Sequence, residues 1–440
     1  MIRRAKEKLV LQYYGMVNLF TTDFRRMRTH EGFKRYFKNT GWLFLGRLGG
    51  MAISFYSSVY LVRYLGPENN GALSYALSFV ALFGFLASLG IDSILYRDLV
   101  DRPHDRDKLL GTALGLKIIG SLITIAAIFT ALPFMYNDAR VNLIIIIIAA
   151  SLIFQSFNVF QYFFQANLLS KHTTVVYLTV TALLTTMKLS VIWLHKGLLF
   201  IALVLFLEPI LYFLGHWFVY QRQQLKISQW QFDHNLARSM FIVSLPLILS
   251  SAFASIAGRI DQVMIKQLMD IRSVGLYDAA VRIAEVWYFV PSIIISSVFP
   301  AIVNAKKVGH AVYRNRLIKL TLYVFLGSVA VALPIYLFAP LIIRLLYGVA
   351  YMPAVGVLRI YVWAGIGVGM AAIVNNYLII EHRTSSVFFV NFFSMAMNVL
   401  LNLYLIPKFG ISGAALATLI SYIAIPIIAI IINNKKRYEK

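Results

Sequence analysis

No cysteine occurs anywhere in the 440 residues. That absence removes disulfides, thiol catalysis and cysteine-ligated metal sites. Acidic residues are scarce, 18 against 41 Lys and Arg. Long polar stretches are missing too. The longest connection on the side read below as external, 340–356, holds about 17 residues, far short of what a soluble domain needs. No nucleotide-binding segment is expected. The run Gly365-Ile-Gly-Val-Gly369 lies inside an apolar stretch, without the strand–turn–helix setting of a dinucleotide site, and reads as close helix packing through small residues. The cluster Asp101-Arg-Pro-His-Asp-Arg-Asp107 alternates in charge and reads as a solvated loop, so no metal site and no cofactor are expected. Leu9–Phe20 is interrupted by Gln12 and Asn18 and lacks a small-residue cleavage site, so no cleavable signal peptide is expected.

What the chain has in abundance is apolar length. Hydrophobic residues make up 60% and mean hydropathy is +0.74. A bilayer core of about 30 Å needs roughly 20 mostly apolar residues per helix. Twelve such stretches follow one another: 41–62, 71–93, 109–133, 142–164, 174–194, 198–220, 241–265, 276–301, 318–339, 357–380, 386–406 and 412–432. Alternate connections, with both termini, hold 28 of the Lys and Arg; the other connections hold 7 and the stretches themselves 6. By the positive-inside rule the basic side is cytoplasmic, both termini included, and the expected location is the cell membrane. The net charge of +23 therefore belongs to membrane borders and anionic headgroups. No nucleic-acid motif accompanies it, so no nucleic-acid partner is expected. Residues 1–40 mix ten basic groups with Leu, Tyr, Phe and Met and read as a helix on the inner membrane surface. Residues 433–440 form a basic cytoplasmic tail.

The polar connection 221–240 divides the stretches six and six, into an N-lobe over 41–220 and a C-lobe over 241–432. The lobes echo each other. Arg63-Tyr-Leu-Gly-Pro-Glu-Asn-Asn-Gly71 leads to Ala76, and Lys266-Gln-Leu-Met-Asp-Ile-Arg-Ser-Val-Gly275 leads to Ala280 at the same offset. Two six-helix halves of like orientation imply a pseudo-twofold axis along the membrane normal. The expected fold is an all-α integral membrane protein: twelve transmembrane helices in two pseudo-twofold bundles around a central cavity.

Polar residues run as lines along several stretches. Gln155, Asn158, Tyr162 and Gln165 form one. Thr174, Tyr177, Thr181, Thr185 and Lys188 form a second, Ser251, Ser255, Arg259, Gln262 and Lys266 a third, and Asn391, Ser394, Asn398 and Asn402 a fourth. Steps of three and four place each set on one helix face. Lipid cannot satisfy such groups, so the faces turn toward other helices or water. Together they point to a hydrated internal cavity. Six basic residues lie within stretches: Arg47, Lys117, Lys188, Arg259, Arg282 and Arg359. Each costs about 2.5–3.5 kcal/mol at mid-helix. Acidic candidates are Asp92, Glu208, Asp261, Asp278 and Glu285. The positive excess points to an anionic ligand. Lys117 and Arg359 lie near stretch ends and could instead snorkel. Across the hairpin of the seventh and eighth stretches, ion pairs (Asp261 with Arg282, or Arg259 with Glu285) stand as an alternative to a ligand or gate role.

Four segments carry a family resemblance: Arg63-Tyr-Leu-Gly-Pro-Glu-Asn-Asn-Gly71, Asp261-Gln-Val-Met-Ile-Lys266 with Val274-Gly-Leu-Tyr-Asp-Ala-Ala280, Tyr347-Gly-Val-Ala-Tyr-Met-Pro-Ala354, and Phe409-Gly-Ile-Ser-Gly-Ala-Ala-Leu-Ala-Thr418. In this order and spacing the chain resembles the polysaccharide-transport branch of the multidrug/oligosaccharidyl-lipid/polysaccharide exporter superfamily, across residues 41–432. Asn70 stands where that family usually has an aromatic residue. The two extra helices of lipid II flippases are lacking. The resemblance implies a MATE-like fold and a non-enzymatic flippase. Its cargo would be a polyprenyl-diphosphate-linked saccharide, carried from the cytoplasmic to the outer leaflet by alternating access. Membrane lipids, H⁺ or Na⁺, and polysaccharide biosynthesis enzymes are the other partners it suggests. Arg47, Lys117, Lys188, Arg259 and Arg282 are candidate substrate contacts. Gln155, Asn158, Gln165, Thr181, Thr185, Ser255, Gln262, Asn391 and Asn398 are candidate cavity polar groups, and Glu208, Asp261 and Glu285 candidate ion-coupling or gate residues. A cation or drug antiporter of the same superfamily would want acidic cavity residues. A glycan polymerase or ligase would want the external loop this chain lacks.

Overall fold

A computed structural model describes residues 31–381 and 383–438. The surface helix expected over 1–40 falls outside the described residues as far as position 30, and so do the last two residues of the basic tail. The described residues are helical with no strand. In the first half of the chain the helices are α1 (Glu31–Leu82), α2 (Gly84–Ser88), α3 (Ile91–Asp101), α4 (Arg106–Ala131), α5 (Ala139–Ala150), α6 (Leu152–Gln155), α7 (Val159–Ala166), α8 (Ser170–Trp193) and α9 (Leu198–Arg222). The second half has α10 (His234–Leu268), α11 (Ile271–Glu285), α12 (Phe289–Val308), α13 (His310–Leu337), α14 (Ala339–Leu346), α15 (Val355–Tyr361), α16 (Ala364–Ile380), α17 (Thr384–Phe409) and α18 (Ile411–Tyr438).

Nine helices among the described residues are long and apolar enough to cross a membrane, or ten with one bent pair. The chain is a multi-pass membrane protein. The expected count is twelve, and the difference lies in the breaks. The stretches 41–62 and 71–93 share the bent unit Asn39–Leu82 plus Gly84–Asp101, which turns by 48°. Within α1 the chain also leaves the helix at Gly66 (φ 68°, ψ 172°), a conformation that glycine adopts readily, and Pro67 opens the next limb. The stretch 276–301 divides between α11 and α12 at Val286–Tyr288.

Helix starts follow local chemistry. The Asp233 carboxylate accepts the backbone N–H groups of Asn235 and Leu236, both at 2.9 Å, and opens α10. Asp270 accepts from Ser273 N at 2.7 Å and opens α11. Both satisfy amides that a helix start leaves unpaired.

The cores show where the halves join. One buried apolar cluster draws on both halves, with Val62, Tyr75, Ala76 and Ile144 beside Ile265, Tyr277, Ala280 and Tyr351. It lies at the end of the helices that carries Gly71 and Gly275. The structure brings these two sequence-equivalent glycines into mutual contact. A Cβ on Gly71 would stand 1.8 Å from Ile271 O, and one on Gly275 would stand 1.8 Å from Pro67 O. Only hydrogen in place of a side chain permits that approach. Toward the opposite, basic end the cores separate. One holds Leu95, Leu110, Phe160 and Tyr220 with the start of α10. Two more belong to the second half alone, around Ile295 and Ile302, and around Leu378 and Val390.

Candidate functional site

A cavity of about 1000 Å³ occupies the first half of the chain on the basic side of the shared core. Its walls come from α1, the bent unit α2–α3, α4, the broken α5–α7, α8 and α9. Of the expected site residues it gathers Arg47, Lys117, Gln155, Asn158, Gln165 and Glu208, together with Asp92. Lys188, Arg259, Arg282, Thr181, Thr185, Ser255, Gln262, Asn391, Asn398, Asp261 and Glu285 do not line it.

Each charge in the wall has a different standing. Lys117 is 3% exposed and does not snorkel: it turns inward, forms an ion pair with Asp92, and donates to Asn158 Oδ1 at 2.5 Å. Its ammonium also lies 5.8 Å from the centre of the Tyr162 ring. Asp92 retains 30% exposure. Glu208 lines the cavity with no hydrogen-bond partner among the described residues, and Lys188 on α8 stands within its electrostatic reach. Arg47 is exposed to the cavity and has neither hydrogen bond nor ion pair among the described residues. Among these lining groups two cations face two carboxylates, and Arg47 is the cation left uncommitted.

The remaining expected residues serve contacts elsewhere. Neither ion pair weighed across the α10–α11 hairpin forms. Arg282 instead pairs with Asp278, four residues back on its own helix face, at 2.6 Å, and reaches Ser58 Oγ at 3.4 Å. Asp261 accepts the Tyr277 hydroxyl and the Gln262 N–H. Glu285 accepts the Tyr361 hydroxyl at 3.1 Å. Arg259 is exposed and stands within electrostatic reach of Glu285 and Asp261. Gln262 Oε1 accepts Ser74 and Ser78 hydroxyls across the two halves, at 2.7 and 2.6 Å. Asn70 likewise donates across the halves to Asp278 Oδ2 and Gly275 O, at 3.1 and 3.2 Å. Thr181 bonds Tyr212. Asn398 lies 3.4 Å from Thr418 and accepts from Asn402 at 3.0 Å. Thr185, Ser255 and Asn391 are half-buried.

Gln161 is a cavity residue that sequence periodicity misses. A regular α-helix places Tyr162 in line with Gln155, Asn158 and Gln165. The 3₁₀ turn Ser156–Asn158 interrupts the helix there. At three residues per turn it brings Gln155, Asn158 and Gln161 into register, and Tyr162 turns to Lys117.

Comparison with known proteins settles the lineage. A family profile described as "Polysaccharide biosynthesis protein" matches residues 36–306. The chain belongs to the polysaccharide biosynthesis protein family. A curated relative, the capsular polysaccharide biosynthesis protein CapF of Staphylococcus aureus, is 21% identical over 398 residues, covering 87% of this chain and 96% of CapF. The fold has solved counterparts. The inward closed conformation of the lipid II flippase MurJ has a TM-score of 0.71 at 14% identity, over 90% of this chain and 87% of that one. An inward-facing MATE-family multidrug transporter of the MOP superfamily has a TM-score of 0.69 at 15% identity, over 88% and 94%. A Vibrio cholerae MATE transporter, VcmN, reaches 0.61 at 13% identity, over 92% and 97%. The profile gives the family, and the solved structures share this chain's fold.

Proposed function

We propose that this protein moves a polyprenyl-diphosphate-linked saccharide across the cell membrane, from the cytoplasmic to the outer leaflet, by alternating access. One observation carries the reading. Arg47 lines a large membrane-embedded cavity with an uncommitted guanidinium. Guanidinium binds phosphate in a planar, two-pronged way. An arginine within a membrane-spanning helix and without a protein partner is costly unless water or a ligand serves it. The cavity volume, about 1000 Å³, stands at the upper end of small-molecule sites. It suits a headgroup with several sugar rings while the polyprenyl tail stays in lipid. A membrane potential negative inside favours outward movement of negative charge by about 2.3 kcal/mol per charge per 100 mV. Coupling to inward H⁺ or Na⁺ falls to Glu208, Asp261 or Glu285; Glu208 is the one in contact with the cavity.

A second reading, export of organic cations, draws on the acidic groups Asp92 and Glu208 in the same wall. Purified protein in sealed vesicles with a labelled polyprenyl-diphosphate disaccharide separates the two. The expected result is that the label becomes accessible at the opposite face, and that Arg47→Ala slows this at least tenfold. Uptake of a cationic dye without movement of the glycolipid, abolished by Asp92→Asn or Glu208→Gln, establishes the second reading instead.

A further inference from the structure

Three glutamines of the broken α6–α7 segment, Gln155, Gln161 and Gln165, face the cavity with no hydrogen-bond partner among the described residues. The 3₁₀ turn described above aligns the first two with Asn158, and Gln165 follows one helical step on. Other walls of the cavity supply ring faces and an orphaned nitrogen. The Tyr177 and Tyr212 rings lie stacked, with centroids 6.1 Å apart and planes within 13°. His216 is 6% exposed. Its Nδ1 is 2.8 Å from Tyr212 O, and its buried Nε2 has no partner among the described residues.

This combination has a chemical preference. A primary amide offers two donors and an acceptor on one planar group. A sugar hydroxyl donates and accepts at once, so amides match it where ammonium or carboxylate groups match only one of its roles. Aromatic faces accept the apolar C–H side of a pyranose ring. The charge balance excludes more acid. Lys117 is held by Asp92, so once Arg47 has engaged a diphosphate no free lining cation remains among the described residues for a carboxylate. A sugar acid would instead confront Asp92 and Glu208.

We propose that this amide-and-tyrosine wall selects the sugars of the cargo. It takes an uncharged, hydroxyl-rich saccharide of hexoses or N-acetylhexosamines and rejects one bearing uronic-type carboxylates. The inference rests on reading the cavity as the binding site of a lipid-diphosphate glycan, and adds to that reading which glycan class fits.

Three probes of equal polyprenyl length test it on the purified full chain in nanodiscs: the bare diphosphate, the diphosphate with a neutral N-acetylhexosamine disaccharide, and the same disaccharide ending in a uronic acid. The neutral glycolipid is expected to bind at least tenfold tighter than the bare lipid, and the uronate lipid no tighter than the bare one. In Gln161→Ala/Gln165→Ala and in His216→Phe the ratio of neutral to bare affinity falls toward one. Gln161→Asn, which keeps an amide, retains part of it. In Arg47→Ala all three lipids weaken together and the ratio stays. A wild-type preference for the uronate lipid overturns the proposal and needs no variant to observe. So does an undiminished ratio in the alanine variants. Binding of the bare lipid with indifference to sugar removes this inference and leaves the flippase reading standing. Failure of the wild type to bind any of the three removes both.

Discussion

At the level of single residues, the Lys117–Asp92 pair shows how a costly charge is tolerated inside a membrane helix. The ammonium is buried, the carboxylate half-turned to the cavity, and Asn158 Oδ1 takes a second ammonium hydrogen. Removing one partner of a buried pair leaves the other uncompensated and costs about 3–5 kcal/mol. Asp92 keeps some exposure, so the lower end applies. Lys117→Met is expected to destabilise the protein by about 3 kcal/mol. Lys117→Met/Asp92→Leu should recover most of that, because replacing a whole buried pair by apolar groups is often neutral. Thermal unfolding in detergent reads both. If the double variant is as unstable as the single one, the pair is not what stabilises this wall. The sequence makes such residues legible as a class but not as partners. Lys117 near a stretch end fits snorkelling as well as a cavity; the choice depends on Asp92 and Asn158, which stand 25 and 41 residues away. Arg282 also finds its acid on its own helix rather than across the hairpin.

At the level of elements, the breaks matter more than the helices. Hydropathy finds the apolar stretches because the lipid requirement is strong. It does not see where a helix bends, since a 3₁₀ turn or a kink leaves composition unchanged. Gln161 entered the cavity through such a turn. The glycine pair is the opposite case. Gly71 and Gly275 are legible as equivalent positions, and their contact explains why both are glycine. Gly275→Val forces a side chain into the Pro67 carbonyl, so the α1 and α11 limbs must part. The expected outcome is a protein that reaches the membrane but transports at under a tenth of the wild-type rate. Gly327→Val, where nothing beyond its own helix turn lies within 4 Å of the added Cβ among the described residues, is the matched control and should transport normally.

The start of α10 gives a pH prediction. Backbone N–H groups of Leu236 and Asn235 on the Asp233 carboxylate hold its pKa below the ordinary 3.8. A carboxylate whose folded value is depressed contributes its stability above the unfolded value and loses it as pH falls through the folded one. The protection factor for amide hydrogen exchange at the first turn of α10, the observed rate taken relative to the intrinsic one at each pH, should therefore be high at neutral pH and fall below about pH 4. In Asp233→Asn, which caps without titrating, that acid-side loss of protection should be absent. Equal loss in both proteins would place its origin elsewhere.

For the molecule as a whole, the two halves share one core at the Gly71 end, while at the basic end the only second-half element in the first-half core, among the described residues, is the start of α10. The alternating access proposed above asks this arrangement to invert, and under it the shared end is held by interactions weak enough to break. The polar contacts there are Ser74 and Ser78 on Gln262, Asn70 on Asp278 and Gly275 O, Arg282 on Ser58, the Tyr351 hydroxyl on Val62 O at 2.8 Å, and Lys266 and Gln267 on the carbonyls of Met135 and Tyr136. At about 0.5–1.5 kcal/mol net for each bond, they amount to roughly 5–15 kcal/mol. The lower end is comparable with the roughly 5.5 kcal/mol that separates a 99:1 from a 1:99 equilibrium. Gln262→Leu removes the acceptor for two hydroxyls and leaves both buried. It should favour parting of this end by about 2 kcal/mol, or roughly thirtyfold. The cysteine-free chain makes the measurement direct. Ala76 is fully buried in the shared core, so a lone Ala76→Cys thiol reacts with an impermeant maleimide only when the end opens. Adding Gln262→Leu should raise its labelling rate by that factor, and an unchanged rate would show that the Gln262 contacts do not hold the closed end together.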